Sequence, residues 1–161
     1  MEFEIDVSGE DIFSKDYTIC IASKNNTITG FKMNPELVTN INCKFNQNEY
    51  RYKNSKKGRT QLKIRIYCII IYYGLKHLNL NAEKLSLKIC RDFYGKETDI
   101  KSNLEFFITQ KLKTILKEIS FTKLDKESNA HKYSYLMRKD TKNQLKTYFT
   151  LNLNEIELFL K

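Results

Sequence analysis

The sequence predicts an α/β fold built around a mixed β-sheet, and three observations support this prediction. Residues 2–7 and 17–22 alternate or run apolar, as β-strands do. After a turn signal at Asn25-Asn26, residues 28–33 continue the strand pattern, which predicts an antiparallel meander. Beyond residue 58, helix and strand patterns alternate, and strands separated by helices imply crossovers and a partly parallel sheet. The 161 residues fit one domain with a sizeable core.

The segment that follows the meander is harder to interpret. Residues 34–57 are polar and rich in Asn and Lys, which predicts a loop or insertion with about one helical turn after Pro35. Residues 59–78 fit two patterns, because their apolar positions match one helical face and also match an alternating strand. The length favours a buried helix that ends at Gly74, and the β-branched content leaves the strand open.

The second half of the chain alternates strand and helix patterns. The clearest is a helix over 99–117, whose apolar residues keep the 3.6-residue spacing and whose N-cap is Thr98 or Asp99. The other predicted elements are a strand at 85–90, a strand at 119–124, a basic helix at 128–145 capped by Ser128, and a tail at about 147–161 with a strand at 148–153 and a helix at 154–160. The whole chain, 1–161, is therefore expected to form a single domain.

The charge is strongly positive and unevenly distributed. The net charge is +9, with six acids and one base in residues 1–22, eight bases and one acid in 44–65, and ten bases and four acids in 111–146. Such asymmetry favours a polyanionic partner, most simply nucleic acid. The alternative is that the many lysines reflect an AT-rich genome and serve solubility alone.

The cysteines and the apolar runs indicate the compartment. Cys20, Cys43, Cys68 and Cys90 form no CxxC pair, so a zinc site is not expected, and those inside apolar runs are interpreted as small hydrophobic residues. The longest apolar run, 66–73, is too short for a membrane span of about 20 residues. The acidic N-terminus lacks the apolar region of a signal peptide. We expect a cytoplasmic protein with reduced thiols and no membrane association.

Asp6 is the most informative residue. It lies at the end of the first apolar strand pattern and is expected in the middle of the sheet, where an ionised carboxylate is costly to bury unless it is paired. A divalent metal ion is a natural partner, and an acidic centre in a basic chain is typical of nucleases that hold metal ions and bind phosphates. The structural alternative is that Asp6 only caps the turn at Ser8-Gly9.

This element order, with an aspartate on the first strand, resembles the ribonuclease H-like superfamily. The resemblance implies a five-stranded mixed sheet with three antiparallel strands followed by parallel strands. It also implies catalytic carboxylates on the first strand, at the end of the fourth strand and near the last helix. Asp6 and Asp92 match the first two places, and Asp125 or Glu127 matches the third, with His131 as a further candidate because some members use histidine there.

Two short motifs carry a more specific resemblance, to type-2 ribonuclease H. Asp6-Val7-Ser8-Gly9 is similar to its opening Asp-Glu-Ala-Gly, and Asn54-Ser55-Lys56-Lys57 is similar to its Asp-Ser-Lys-Lys. The Asp-x-Ser-Gly start also resembles archaeal proteins of unknown function with this proposed fold. Val7 stands where the family has a second acid, which Glu10 or Asp11 would have to replace.

The resemblance implies a metal-dependent nuclease with two Mg²⁺ or Mn²⁺ ions, which neutralise charge and activate water when they lie about 3.5–4 Å apart. Asp6 would bridge both ions, Asp92 would hold one, and Asp125 or Glu127 the other. Each carboxylate also has a structural interpretation, because Asp92 could pair with Arg91 and the other two could favour the start of the next helix.

The predicted nucleic-acid interface lies before the first long helix. Phosphate contacts and stacking are expected from a basic, tyrosine-containing run: Lys53, Lys56, Lys57 and Arg59 for phosphates, and Tyr50 and Tyr52 for stacking. The alternative function is a non-catalytic module of the same fold that binds nucleic acid or an acidic protein.

Overall fold

The structure, a computed structural model, describes residues 1–80 and 84–161. These residues form one five-stranded sheet with flanking helices. The strands are β1 (Glu2–Ser8), β2 (Thr18–Ala22), β3 (Ile28–Lys32), β4 (Lys84–Cys90) and β5 (Ile115–Thr122). The helices are α1 (Pro35–Asn46), α2 (Lys56–His77), α3 (Glu97–Phe106) with a π-helical turn at Phe107–Lys111, α4 (Asn129–Lys139) and α5 (Leu153–Glu157).

The sheet is mixed, with the strand order β3-β2-β1-β4-β5. β1 pairs antiparallel with β2, which pairs antiparallel with β3, whereas β4 lies parallel to both β1 and β5. The predicted fold class is therefore confirmed: an antiparallel meander followed by parallel strands. The central strand β1 has an antiparallel neighbour on one side and a parallel neighbour on the other, which places Asp6 in the middle of the sheet.

Helices cover the two faces of the sheet unequally. One face packs against α2, so closely that a Cβ added to Gly74 would lie 2.5 Å from Ile21 Cδ1. On the other face α4 packs over β1, β2 and β3. The polar residues that β4 and β5 present on this face, among them Lys88 and Ser120, line an open cavity of about 750 Å³. No helix within residues 1–80 or 84–161 has the length and apolarity needed to cross a membrane.

The segment 34–57, predicted to be a loop with one helical turn, instead contains the twelve-residue helix α1. Asn34 caps this helix by accepting a hydrogen bond from the Glu36 backbone N–H at 2.8 Å. Leu37, Ile41 and Phe45 are buried at a spacing of four residues. The polar residues between them hid this amphipathic pattern, because three buried positions in twelve give a weak periodic signal.

The ambiguity over 59–78 is resolved in favour of the helix. α2 begins at Lys56, where Ser55 accepts a hydrogen bond from the Gly58 N–H at 3.0 Å, and it continues to His77. Gly74 does not end the helix, because its missing side chain serves the close approach to β2 rather than a C-terminal cap.

The helix predicted over 99–117 is too long, and its predicted caps are wrong. α3 begins after Lys96, with no side-chain cap from Thr98 or Asp99, and gives way to the π-helical turn. Lys113 then adopts a positive φ of 55°, which breaks the helical path. Ile115 therefore starts β5, which begins four residues before the strand predicted at 119–124 and ends two residues before it.

The final third of the chain follows the prediction in outline. Ser128 caps α4 as expected, although the helix ends at Lys139 rather than at residue 145. The strand predicted at 148–153 is a single parallel bridge between Tyr148 and Gly30 on β3. α5 begins at Leu153, and a capping box formed by Asn152 and Glu155 stabilises its N-terminus.

Candidate metal centre

Two of the predicted carboxylates meet near the carboxyl ends of the neighbouring strands β1 and β4. Asp6 lies on β1, and Asp92 lies two residues after β4 ends. Because β1 and β4 are parallel, with Ile5 opposite Ile89, Cys90 reaches the level of Asp6 and Asp92 follows just beyond it. One donor atom from each of Asp6, Cys90 and Asp92 lies within 4.8 Å of the others. This cluster could bind a metal ion, and we call it the Asp6–Asp92 cluster.

Asp6 is held rigidly by its neighbours. It is 4% exposed, and its Oδ1 accepts a hydrogen bond from the Val7 N–H at 2.8 Å. Its Oδ2 lies 2.9 Å from His131 Nδ1, so the interaction becomes an ion pair when the imidazole is protonated. The contact fixes the carboxylate from the α4 side, while 51% of the His131 side chain stays exposed to solvent.

The start of α4 brings His131 to this position. Ser128 Oγ accepts a hydrogen bond from the His131 backbone N–H at 3.4 Å and donates its own hydrogen bond to Glu4, two residues before Asp6 on β1. A hydroxyl N-cap is favoured at a helix start because it pairs one of the free backbone donors. Here the same hydroxyl also ties the helix to the central strand.

The cluster perturbs the ionisation of its members. Burial, and secondly the charge of Asp6, raises the pKa of Asp92 to about 6, against a hydrogen bond from Cys90 that lowers it. Burial and the charges of Asp6 and Asp92 raise the pKa of the Cys90 thiol to about 11. Both shifts mean that negative charge is unfavourable here without a cation. A bound cation would favour the ionised forms.

Aromatic side chains back the cluster on the side of α2. Tyr17 is buried, and its pKa is raised by burial and then by the charges of Asp92, Asp11 and Asp6. Tyr67 of α2 packs on Phe93, with ring centroids 5.0 Å apart. Aromatic rings near the carboxylates, here Tyr17, Tyr67 and Phe93, lower the local dielectric constant and so strengthen the interaction of the carboxylates with a bound cation.

Gly9 lets the Tyr17 ring approach the end of β1 closely. Its φ is +128°, and a Cβ at this position would lie 2.7 Å from Tyr17 Cδ2. Only glycine combines that backbone conformation with that contact.

The remaining predicted acids lie outside the Asp6–Asp92 cluster. Asp125 Oδ1 accepts a hydrogen bond from the Glu127 N–H at 3.0 Å, and Glu127, whose side chain is 83% exposed, pairs with Lys132 Nζ at 2.9 Å. Both acids line the open cavity beside β4 and β5. The residue of this region that reaches Asp6 is His131, the third candidate of the sequence analysis.

Arg91 and Asp11 each have a partner outside the Asp6–Asp92 cluster. Arg91 donates from Nε to the Phe121 carbonyl at 3.2 Å, and it is not among the ion pairs found in the described chain. Asp11, considered as a substitute for the acid missing at Val7, pairs with Lys63 of α2 at 2.7 Å. Partial burial would raise the pKa of Asp11, but the hydrogen bond from Lys63 and a backbone hydrogen bond lower it overall.

The predicted nucleic-acid residues lie at the start of α2. Lys53, Lys56 and Lys57 are exposed, whereas Arg59 donates to Asn42 Oδ1 at 2.7 Å and stacks over Phe13, 5.5 Å from the ring centroid. Arg59 therefore has structural contacts of its own. The prediction that Tyr50 stacks on bases is wrong, because Tyr50 is 5% exposed.

Cys90 is the member of the cluster that sequence reasoning missed. It was interpreted as a small hydrophobic residue because it ends an apolar run. The alternation along β4 carries the missing signal, since Lys84, Ser86, Lys88 and Cys90 share the face opposite the core residues Leu85, Leu87 and Ile89. A thiol on the polar face, next to two aspartates, is placed to interact with a cation.

The fold and the cluster together define an α/β protein with a candidate metal centre. The centre lies at the carboxyl end of β4, beside the strand where parallel pairing changes to antiparallel, which is where open α/β sheets commonly bind ligands. Comparison with known proteins finds no matching family model, no similar curated protein and no similar solved structure.

Proposed function

We propose that this protein is a metal-dependent nuclease that hydrolyses phosphodiester bonds in nucleic acid, with Mg²⁺ or Mn²⁺ as its cofactor. The observation that carries the proposal is the approach of Asp6 and Asp92 from separate strands, within 4.8 Å at the level of their donor atoms. A chain with a net charge of +9 that brings two carboxylates together, one of them buried, is suited to a cation and a polyanion together.

The donor set fits a hard divalent ion. Asp6 and Asp92 offer the carboxylate oxygens that Mg²⁺ and Mn²⁺ prefer. When bound, such an ion supplies an activated water and neutralises phosphate charge. Asp6 is preorganised by the Val7 N–H and by His131, so it is the anchoring ligand. His131 remains half exposed, which gives its imidazole access to a substrate proton.

A second candidate function is a binding module of the same fold without catalysis. It is favoured by Val7, which stands where the Asp-Glu-Ala-Gly motif of type-2 ribonuclease H has an acid. It is also favoured by the location of Asp125 and Glu127 away from the Asp6–Asp92 cluster. With two carboxylates and one thiol, the centre offers fewer hard ligands than the two-ion mechanism described above uses.

Thermal unfolding with and without metal ions tests the proposal. Mn²⁺ or Mg²⁺ should raise the Tm of the wild-type protein, because an ion that binds only the folded state stabilises it. Asp6→Asn should abolish this shift. Asp125→Asn is the matched control, since it removes an aspartate outside the cluster and should leave the shift intact.

A cleavage assay separates the two candidate functions. Labelled RNA, DNA and RNA–DNA hybrid are incubated with the protein in Mn²⁺, with EDTA as the control. Cleavage that is lost in Asp6→Asn and retained in Asp125→Asn supports the nuclease. A metal-dependent Tm shift without cleavage of any substrate would favour the binding module over the nuclease. The absence of a Tm shift with either ion would show that the Asp6–Asp92 cluster does not bind Mg²⁺ or Mn²⁺.

A further inference from the structure

We propose that the exposed face of α4 is a docking surface for single-stranded nucleic acid, which it leads to the Asp6–Asp92 cluster. This inference rests on the proposed function and names the substrate class and its path. The surface consists of His131, Tyr135, the half-buried Arg138 and Lys139, followed by Lys142 in the chain turn after the helix ends, and we call it the α4 basic face.

The residues of this face share one side of the helix. His131, Tyr135 and Lys139 follow each other at intervals of four, and Arg138 lies seven residues after His131. The opposite side is buried against the sheet through Ala130, Ser134 and Met137. From His131 to Lys139 the helix rises about 12 Å. The face is therefore a narrow, continuous stripe.

An exposed aromatic ring marks the middle of the stripe. Tyr135 is 55% exposed, and Lys139 Nζ lies 5.6 Å from its ring centroid. Proteins that bind single strands combine cations that follow the phosphates with aromatic rings on which bases stack. Such stacking needs a base with a free face, which a single strand presents and a duplex does not.

The charge of the face is not balanced by nearby acids. Among the ion pairs of the described residues, none involves Arg138, Lys139 or Lys142, whereas Lys132 is already paired with Glu127. The Asp140 carboxylate accepts hydrogen bonds from the Gln144 and Leu145 N–H groups and the Tyr148 hydroxyl, so both of its oxygens already have partners. A polyanion fits this uncompensated charge.

The stripe begins at the candidate metal centre. His131 is its first residue, and His131 Nδ1 lies 2.9 Å from Asp6 Oδ2. A strand that lies along α4 with a base on Tyr135 therefore passes the anchoring carboxylate of the cluster. This continuity favours nucleic acid over an acidic protein, because only nucleic acid carries the phosphodiester on which the proposed metal centre acts.

Fluorescence anisotropy with a labelled oligo-dT strand and a duplex of the same length tests the proposal in EDTA. Working without divalent ions keeps binding independent of the metal centre. Tyr135→Ala should weaken single-strand binding by roughly tenfold, and Tyr135→Phe should restore it, since the ring alone stacks. Arg138→Ala with Lys139→Ala should reduce the salt slope of log K by about 1.4.

Lys101→Ala with Lys117→Ala is the matched control, because both lysines are exposed on the opposite edge of the molecule beside β5. Equal losses in this control, unchanged binding in Tyr135→Ala, or tighter binding of the duplex would each overturn the proposal. The Mn²⁺-induced Tm shift, measured on the same Tyr135→Ala protein, separates the two hypotheses. If Tyr135→Ala keeps both the Mn²⁺-induced Tm shift and single-strand binding, the α4 basic face is refuted as the docking surface and the metal centre is not. If the wild-type protein binds the single strand but shows no Tm shift, the nuclease is refuted and the docking surface is not.

Discussion

Asp92 lies where burial and the charge of Asp6 together raise its pKa to about 6. A carboxyl whose pKa is higher in the folded state than its usual 3.8 contributes stability while it is protonated, and this contribution is lost as the pH rises toward 6. The Asp92 carboxyl is only partly buried, so solvent screening reduces the effect to about 1 kcal/mol.

Asp92→Asn should therefore be more stable than the metal-free wild type at pH 7.5 and equally stable below about pH 4. Urea unfolding in EDTA at the two pH values measures the difference. Adding Mn²⁺ at pH 7.5 should reverse the order, because the variant loses a ligand. A constant gap across the pH range would show that the carboxylate does not ionise against Asp6.

Cys90 gives the cluster a mixed donor set, and this has a spectroscopic consequence. Thiolate ligands favour softer ions, so Co²⁺ in this centre should recruit Cys90 and displace its proton. We expect a near-ultraviolet charge-transfer band that is absent in Cys90→Ser. The Mn²⁺-induced Tm shift should be largely retained in this variant, because Asp6 and Asp92 remain. An unchanged Co²⁺ spectrum would place Cys90 outside the ligand set.

At the level of elements, Gly9 lets the chain leave β1 in close contact with the Tyr17 ring, beside the Asp6–Asp92 cluster. Gly9→Ala should cost about 2–4 kcal/mol, since it combines a strained backbone with overpacking against Tyr17. Gly95→Ala is the control, because Gly95 has a positive φ of 74° but no atom within 4 Å of an added Cβ. Strain alone should cost about 1 kcal/mol there. Equal losses in urea unfolding would remove the role assigned to Tyr17.

The elements that sequence reasoning found are those with a strong period. β1, β2 and β4 have dense apolar alternation, and the order of strands and helices predicted a partly parallel sheet. The expectation that Asp6 and Asp92 share one site came from the resemblance, and the parallel pairing of β1 with β4 brings them together. α1 was missed because its three buried residues stand among polar ones. Ile115 and Leu116 continued the spacing of α3 although they belong to β5, since apolar residues at a junction fit either pattern.

The candidate site was predictable in part, for a related reason. Carboxylates at strand ends can be recognised in a sequence, and Asp6 and Asp92 were. The choice among Asp125, Glu127 and His131 depends on where α4 begins and how it rotates over β1, and these are set by the Ser128 contact with Glu4. Such tertiary contacts leave no periodic signal.

At the scale of the whole molecule, Arg65 joins three parts of the chain around one buried cation. It is 8% exposed on α2, donates from Nε to the Phe159 carbonyl at 3.1 Å and from Nη1 to Asn103 Oδ1 at 2.7 Å, and lies 4.5 Å from the Phe107 ring centroid. Burial lowers its pKa. Among the described residues it pairs with no carboxylate, so its stability depends on neutral acceptors and aromatic faces.

Arg65→Lys therefore tests whether the geometry or the charge of this residue holds the C-terminal segment. Lysine keeps the charge but loses the planar fork that serves both acceptors, so we expect a loss of about 2 kcal/mol in unfolding free energy. Arg65→Met removes the buried charge and both hydrogen bonds while keeping much of the apolar contact. If Arg65→Met is as stable as the wild type, the cation is dispensable, because removing it leaves no opposite charge unpaired. If both variants lose stability and hydrogen exchange accelerates in residues 153–160, the guanidinium is what attaches α5 to α2 and α3.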